Sequence, residues 1–178
     1  MTIRTYQQHQ PVLGDKVYID PQSSVIGQVT IGDDSSVWPF TVVRGDVNKI
    51  TIGQRSNIQD NSTVHVTHDS HYNPGGYATF IGNDVTVGHQ VILHACRVGD
   101  RCLIGMGSVV MDNVEIEPDV ILGAGSLVTQ NTVLQSGALY LGRPAKRVRT
   151  LTEEELERIV YSAQHYVRLK NRYLEDAV

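Results

Sequence analysis

The sequence predicts a mainly β solenoid closed by a C-terminal α-helix, and three observations carry that prediction. The first is a six-residue recurrence of aliphatic side chains. It runs through Ile19, Val25, Ile31, Val37 and Val43, then Ile52, Ile58 and Val64, then Ile81, Val87 and Leu93, then Val98, Ile104, Val110, Ile116, Leu122, Val128 and Leu134. This period fits neither an amphipathic helix nor plain two-residue alternation, and it indicates short strands joined by tight turns into a repeating coil. The second is the company these core positions keep. Four residues on, the side chain is small or short, as at Ser35, Ser56, Ser62, Cys102, Ser108 and Ala138, and glycine often follows the core residue, as in Ile52-Gly53 and Ile81-Gly82. The third is a change of pattern after Pro144. Thr152 and Glu155 form a capping box, and Leu156, Ile159, Val160, Ala163 and Val167 fall on one stripe, which predicts a helix over about 152–175.

The elements follow in order. Residues 1–18 read as a lead-in, 19–148 as the coil and 149–178 as the helical segment. Within the coil, a core residue points inward and its neighbour outward, as in any strand, while the small residue packs inside a corner. Two insertions break the recurrence. Val43 to Ile52 holds three extra residues and begins with Arg44-Gly45-Asp46; Val64 to Ile81 holds eleven, a loop over about 66–79 that contains His68, His71 and Tyr72. Loops of that length inside a compact coil usually carry function. The step from Leu93 to Val98 is one residue short.

Composition narrows the function classes. A chain of 178 residues with net charge −4 suits one domain and gives no reason to expect a nucleic-acid partner, its basic residues gathering mainly around Lys146, Arg147 and Arg149. No apolar run suits a bilayer and Met1 to Gln10 lacks a signal-peptide core, so a cytoplasmic protein without a membrane partner is expected. Cys96 and Cys102 are too few for a disulfide framework and read as buried, reduced thiols. Tyr161, Tyr166 and Tyr173 read as packing residues, with Tyr161 the one pocket candidate.

The repeat resembles that of the hexapeptide-repeat proteins. The resemblance implies a left-handed parallel β-helix of triangular section, with three hexads per coil. Counted that way, with the insertions looped out, Val43, Val64 and Leu93 share one face in successive coils. Arg44, His65 and His94 come directly after them and should project outward in a column, the two histidines one coil apart. Ile58 and Val87 share another face, which stacks Asp60 and His89 near a corner beside Gln59. Three imidazoles and an open position describe a catalytic metal site. Two on one face and one on another converge if a second subunit packs its corner against the first, which predicts a threefold homotrimer. His68 and His71 lie outside this register, and His9 and His165 have no assigned role.

These residues carry a closer resemblance. Val43-Arg44-Gly45-Asp46, Asn57-Ile58-Gln59-Asp60-Asn61, His65, Val87-Gly88-His89 and Leu93-His94 resemble the gamma-class carbonic anhydrases and their bacterial homologues, over nearly the whole chain. The resemblance implies that His65, His89 and His94 hold Zn²⁺, with Fe²⁺ or Co²⁺ also compatible with three imidazoles. It implies that His89 comes from a neighbouring subunit, that Arg44 and Asp60 form an intersubunit salt bridge supported by Asp46, and that Gln59 bonds the metal-bound water with Asn57 nearby. The reaction implied is reversible hydration of carbon dioxide to bicarbonate by metal-bound hydroxide. The chain departs from that pattern where the family carries acidic residues for proton export: Val47 occupies one place and His68 lies near the other. His68 or His71 is then the shuttle candidate, because an imidazole exchanges protons near neutral pH. The alternatives are a metal-dependent thioesterase, a hexapeptide acyltransferase with a histidine base and an acyl-CoA donor, and a non-catalytic metal-binding homologue.

Overall fold

A computed structural model describes residues 2–176. The aliphatic recurrence becomes three columns of short parallel strands around one core. One face stacks Ile19, Val37, Ile58, Val87, Ile104, Leu122 and Tyr140. The next stacks Val25, Val43, Val64, Leu93, Val110 and Val128. The third stacks Leu13, Ile31, Ile52, Ile81, Val98, Ile116 and Leu134. From Val25 to Leu134 every one of these core residues is at most 1% exposed. The expected parallel β-helix with its C-terminal helix is thus the observed architecture. Both insertions are absorbed without loss of register, since Val43 still pairs with Val64, and Val64 with Leu93.

Corner chemistry explains the rest of the hexad. At the corner between the first two faces the chain passes through left-handed backbone at Phe40 (φ 59°), Asn61 (59°) and Gln90 (58°), and continues at Gly107 and Gly125. Inside the corners, small hydroxyls satisfy backbone carbonyls of neighbouring coils: Ser35 Oγ donates to Gly53 O at 2.7 Å, Ser56 Oγ to Gly82 O at 2.7 Å and Ser62 Oγ to Gly88 O at 3.1 Å. A buried carbonyl left unpaired would be costly, so serine here is a structural requirement. Glycine after the core residue is required by coil spacing, because a Cβ on Gly53 would lie 2.6 Å from the Gly82 carbonyl group.

The coil starts earlier than residue 19. Ile3–Arg4 pairs with Val25 and Ile26, and Val12–Leu13 with Thr30 and Ile31, so much of the expected lead-in is solenoid. Leu13 stands six residues before Ile19 and keeps the register, but it lies at the open end where burial is incomplete. At the other end Pro144 does not simply stop the repeat. Ala138–Gly142 continues the first face, and Ala145–Thr150 folds back antiparallel upon it. That hairpin covers an otherwise open strand edge.

The helix Glu153–Asp176 begins with the expected cap, Glu155 N–H donating to Thr152 Oγ1 at 3.2 Å and Thr152 N–H to Glu155 Oε2 at 3.0 Å. It lies along the first face of its own coil, burying Ile159, Ala163 and Lys170. Tyr166 and Tyr173 pack edge-on against Trp38, with ring centroids 5.6 and 5.2 Å apart. Lys170 is fully buried, its Nζ donating to Lys16 O at 2.7 Å and Asp34 Oδ1 at 2.6 Å. Among the described residues no helix is long and apolar enough to cross a membrane.

Candidate metal centre

The second face carries the site. Strand alternation turns Val43, Val64 and Leu93 inward, so Arg44, His65 and His94 stand outside, and His65 and His94 are direct partners in adjacent strands. His65 Nδ1 lies 3.2 Å from His94 Nε2. The outer nitrogens are both occupied: His65 Nε2 sits 3.0 Å from Asp46 Oδ1, and His94 Nδ1 sits 2.6 Å from Asp112 Oδ1. A carboxylate only accepts, so each outer nitrogen carries its proton, and a ring in its neutral form then turns a lone pair toward the other. Two lone pairs at that distance repel unless a cation or a proton lies between them. For zinc with N ligands at about 2.0–2.1 Å, the edge of a tetrahedron is about 3.3 Å, close to the observed gap. The residues fit a metal ion.

His89 belongs to a different place. It stands at the corner between the first and second faces, with Nδ1 3.0 Å from Asp60 Oδ2 and its side chain 46% exposed. Asp60 lies one coil below in the same corner, since Gln90 N–H bonds Asp60 O, and Met106 lies one coil above, since Gly107 N–H bonds His89 O. Each of the three histidines thus has a carboxylate partner, the usual device for setting the tautomer of a metal-binding imidazole. Among the described residues no group of three or more His, Cys, Asp or Glu side chains within one chain is arranged to hold a metal ion.

Local electrostatics favour a neutral His65. Burial pushes its ionisation below the ordinary imidazole range, the Arg44 charge acts in the same direction, and the hydrogen bond to Asp46 opposes them only in part. Burial alone would raise the Asp46 carboxyl, but hydrogen bonds from His65 and Arg44 outweigh it and hold the group below the usual carboxylate range. Within one chain Arg44 pairs with Asp46, and Asp60 pairs with His89. The pairing of Arg44 with Asp60 expected across subunits involves a second chain. Arg44 and Asp46 are two residues apart on one strand and point the same way, so their pairing follows from alternation.

Gln59 and Asn57 lie on the first face, buried under the helix. Gln59 Nε2 donates to Asn57 Oδ1 at 3.0 Å, and Asn57 Nδ2 donates to Thr86 Oγ1 at 3.1 Å and to Val85 O at 3.4 Å. Thr86 Oγ1 in turn bonds Ser162 Oγ on the helix at 3.2 Å. Val85 O can only accept, which sets the direction of both amides and leaves Gln59 Oε1 as the acceptor turned away from Asn57. His68 and His71 are exposed on the insertion, and Val47 is exposed as well. Tyr161 is 61% exposed on the outer side of the helix, stacked near His165. Cys96 and Cys102 are buried thiols, each pushed up to about 12 chiefly by burial.

Asp112 was not among the residues read from the sequence. Its signal lay in the register: Leu93 pairs with Val110, which brings the stretch after Val110 alongside His94. Thr67 and Thr79, at the two roots of the insertion, were also missed. Thr67 Oγ1 donates to Asp112 Oδ2, and Thr79 Oγ1 donates to the His65 carbonyl.

Comparison with known proteins agrees with the repeat. The family model described as "Bacterial transferase hexapeptide (six repeats)" matches residues 10–45 and 95–130. Protein YrdA of Escherichia coli is 52% identical over 174 residues, covering 98% of this chain and 95% of that one. A carbonic anhydrase of Geobacillus kaustophilus is 42% identical, covering 96% of this chain and 90% of that one. Among solved structures, a hexapeptide transferase family protein of Anaplasma phagocytophilum superposes with a TM-score of 0.89 at 41% identity, covering 97% of this chain and 98% of that one. By its repeat, its histidine register and these relationships, the chain belongs to the gamma-carbonic-anhydrase-like family of hexapeptide-repeat proteins.

Proposed function

We propose that the protein is a metal-dependent carbonic anhydrase of the gamma type, hydrating carbon dioxide reversibly to bicarbonate in the cytoplasm. The site would lie at each interface of a homotrimer, with His65 and His94 from one subunit and His89 from its neighbour holding Zn²⁺, or Fe²⁺ or Co²⁺ in its place. One observation carries the reading. The His65 and His94 lone pairs converge 3.2 Å apart while their outer nitrogens are bound to Asp46 and Asp112. A bound metal ion would supply Lewis acidity, bringing the ionisation of water down to about pH 7.

The remaining chemistry belongs to the chain. His65 stays neutral because of its burial and the Arg44 charge, and so keeps its lone pair available. Asp46, Asp60 and Asp112 fix the three ring orientations. Gln59 offers an acceptor oxygen of set direction, able to hold a water O–H and aim the oxygen lone pair at the carbon of carbon dioxide. Arg44 would turn from Asp46 toward the neighbour's Asp60 region when subunits assemble, which keeps a charged pair at the interface. His68 is the proton carrier of this scheme, exposed on the insertion and within one residue of Thr67.

The test is carbon dioxide hydration by stopped flow on metal-loaded wild-type protein and on His94→Ala. Loss of the metal-dependent rate in the variant is expected; equal rates would sink the assignment. The transferase description of the matched family model favours a second reading, acyl transfer from acyl-CoA with a histidine base. Turnover of an acyl-CoA and thioester panel that persists after chelation would select that reading over hydration.

A further inference from the structure

The insertion between Val64 and Ile81 hangs by its two roots from the two convergent histidines. At the first root, the Thr67 hydroxyl donates to Asp112 Oδ2, and Asp112 Oδ1 accepts from His94 Nδ1 at 2.6 Å. One carboxylate is thereby shared between a side chain of the loop and a candidate metal ligand. At the second root, Thr79 Oγ1 donates to the backbone carbonyl of His65, which also accepts from Ala95 N–H at 3.0 Å. Thr67 and Thr79 are both buried, at 8% and 1% exposure, so neither hydroxyl can trade its partner for water without cost. The neck of the loop is closed by a pair of backbone bonds between Thr67 and Tyr77, at 3.0 and 3.1 Å. Asn48 Nδ2 braces the same neck by donating to Thr67 O at 3.2 Å and Gly75 O at 3.3 Å. Gly76 completes it: its φ is +60°, and a Cβ there would lie 2.3 Å from Thr67 O.

From this geometry we infer that Asp112 and Thr67 are positioning residues that couple metal occupancy to the order of the insertion; the inference rests on the metal reading of His65 and His94. Asp112 can hold the His94 ring in the metal-binding tautomer only while its second oxygen is kept in place by Thr67. A loop that opens at its neck withdraws that hydroxyl, frees the carboxylate and loosens the ring. By linkage the reverse holds too: a metal ion that fixes His94 and His65 fixes Asp112 and the His65 backbone, and so steadies both roots. The residue next to Thr67 is His68, so the same coupling sets where that imidazole stands when the site is filled.

The test uses the full-length protein with Zn²⁺ as probe, and its first readout is binding rather than turnover. Zn²⁺ affinity is measured by competition with a chromophoric chelator for wild type, Thr67→Val and Thr67→Ser. Hydrogen exchange across residues 67–79 is followed with and without Zn²⁺. The valine variant keeps the shape and removes the hydroxyl, and should weaken Zn²⁺ binding by about tenfold, the low end for loss of an outer hydrogen-bond partner. Serine restores the hydroxyl and should restore affinity, which a purely packing role for Thr67 would not predict. In the wild type Zn²⁺ should slow exchange at the neck by about fivefold or more, and in Thr67→Val that slowing should be lost. Wild-type affinity in the valine variant, or neck exchange indifferent to Zn²⁺ in the wild type, would overturn the coupling and leave the metal reading standing. A wild-type protein that binds no Zn²⁺ at all would remove the metal reading first and the coupling with it.

Discussion

Each candidate ligand carries a carboxylate on its far nitrogen, and this single-residue arrangement makes the histidines more than surface polar groups. It also sets a pH response. His65 ionises below its ordinary value of 6.5 in the folded chain because burial and Arg44 disfavour its charged form. Between the folded and unfolded values the unfolded chain binds more protons, so stability is full above about 6.5 and falls as pH drops below it. Metal-free protein should therefore lose melting temperature between pH 7.5 and 5.5, and His65→Gln should flatten that slope; an unchanged slope in the variant would place the proton uptake elsewhere. Asp46 acts with the same sign but below the ordinary carboxylate value of 3.8, outside this window. The thiols make a second test at this scale. Cys96 and Cys102, buried and raised to about 12, should resist a thiol reagent at pH 8 in the native protein and react fully once it is unfolded. The placement of His65, His89 and His94 in the coil was legible because the solenoid turns spacing into position. Asp112 was not, because finding it requires following the shortened step from Leu93 into the next coil and asking what stands beside His94. The Arg44–Asp46 pairing within one chain was not read from the sequence, although strand alternation offers it directly.

At the scale of elements, the β-columns were readable from period alone and the helix from its cap and stripe. What holds the helix in place was not, since Lys170 sits on the buried side where an apolar residue would be expected. Its fully buried ammonium reaches across to Lys16 O and to Asp34, a corner residue in left-handed backbone, and no periodicity links residues so far apart. Neutralising the carboxylate leaves a desolvated ammonium with neutral acceptors only, whereas replacing the lysine leaves a carboxylate that is 36% exposed. Asp34→Asn, which tolerates the backbone, should cost about 3 kcal/mol in urea unfolding, near the lower bound for breaking one partner of a buried pair. Lys170→Met should cost less, because its stem volume is kept and no charge is stranded. Equal losses would mean that the ion pair contributes nothing beyond packing.

At the scale of the molecule, the column of residues along the corner between the first two faces joins the site to the proposed assembly. Backbone bonds order it as Pro39, Asp60, His89 and Met106, from Asn61 N–H to Pro39 O, Gln90 N–H to Asp60 O and Gly107 N–H to His89 O. Apolar side chains flank the histidine in solvent: Met106 is 58% exposed, Phe40 57% and Ile92 42%. The proposed trimer gives this corner a partner, because His89 would meet His65 and His94 only across a subunit interface. In the proposed trimer those side chains would seal the interface around His89. Met106→Glu places a charge one coil above that histidine while leaving every candidate ligand and core residue unchanged, so the coil should fold as before. Sedimentation at micromolar concentration should show the wild type as a trimer and the variant shifted toward monomer, with at least a tenfold weaker association, about 1.4 kcal/mol. Zn²⁺ retention during dialysis should fall in step with the loss of trimer, while the far-UV circular dichroism of the monomeric coil stays close to wild type. A Met106→Glu protein that remained trimeric and kept its metal would show that His89 reaches the other two histidines, if at all, by some other surface.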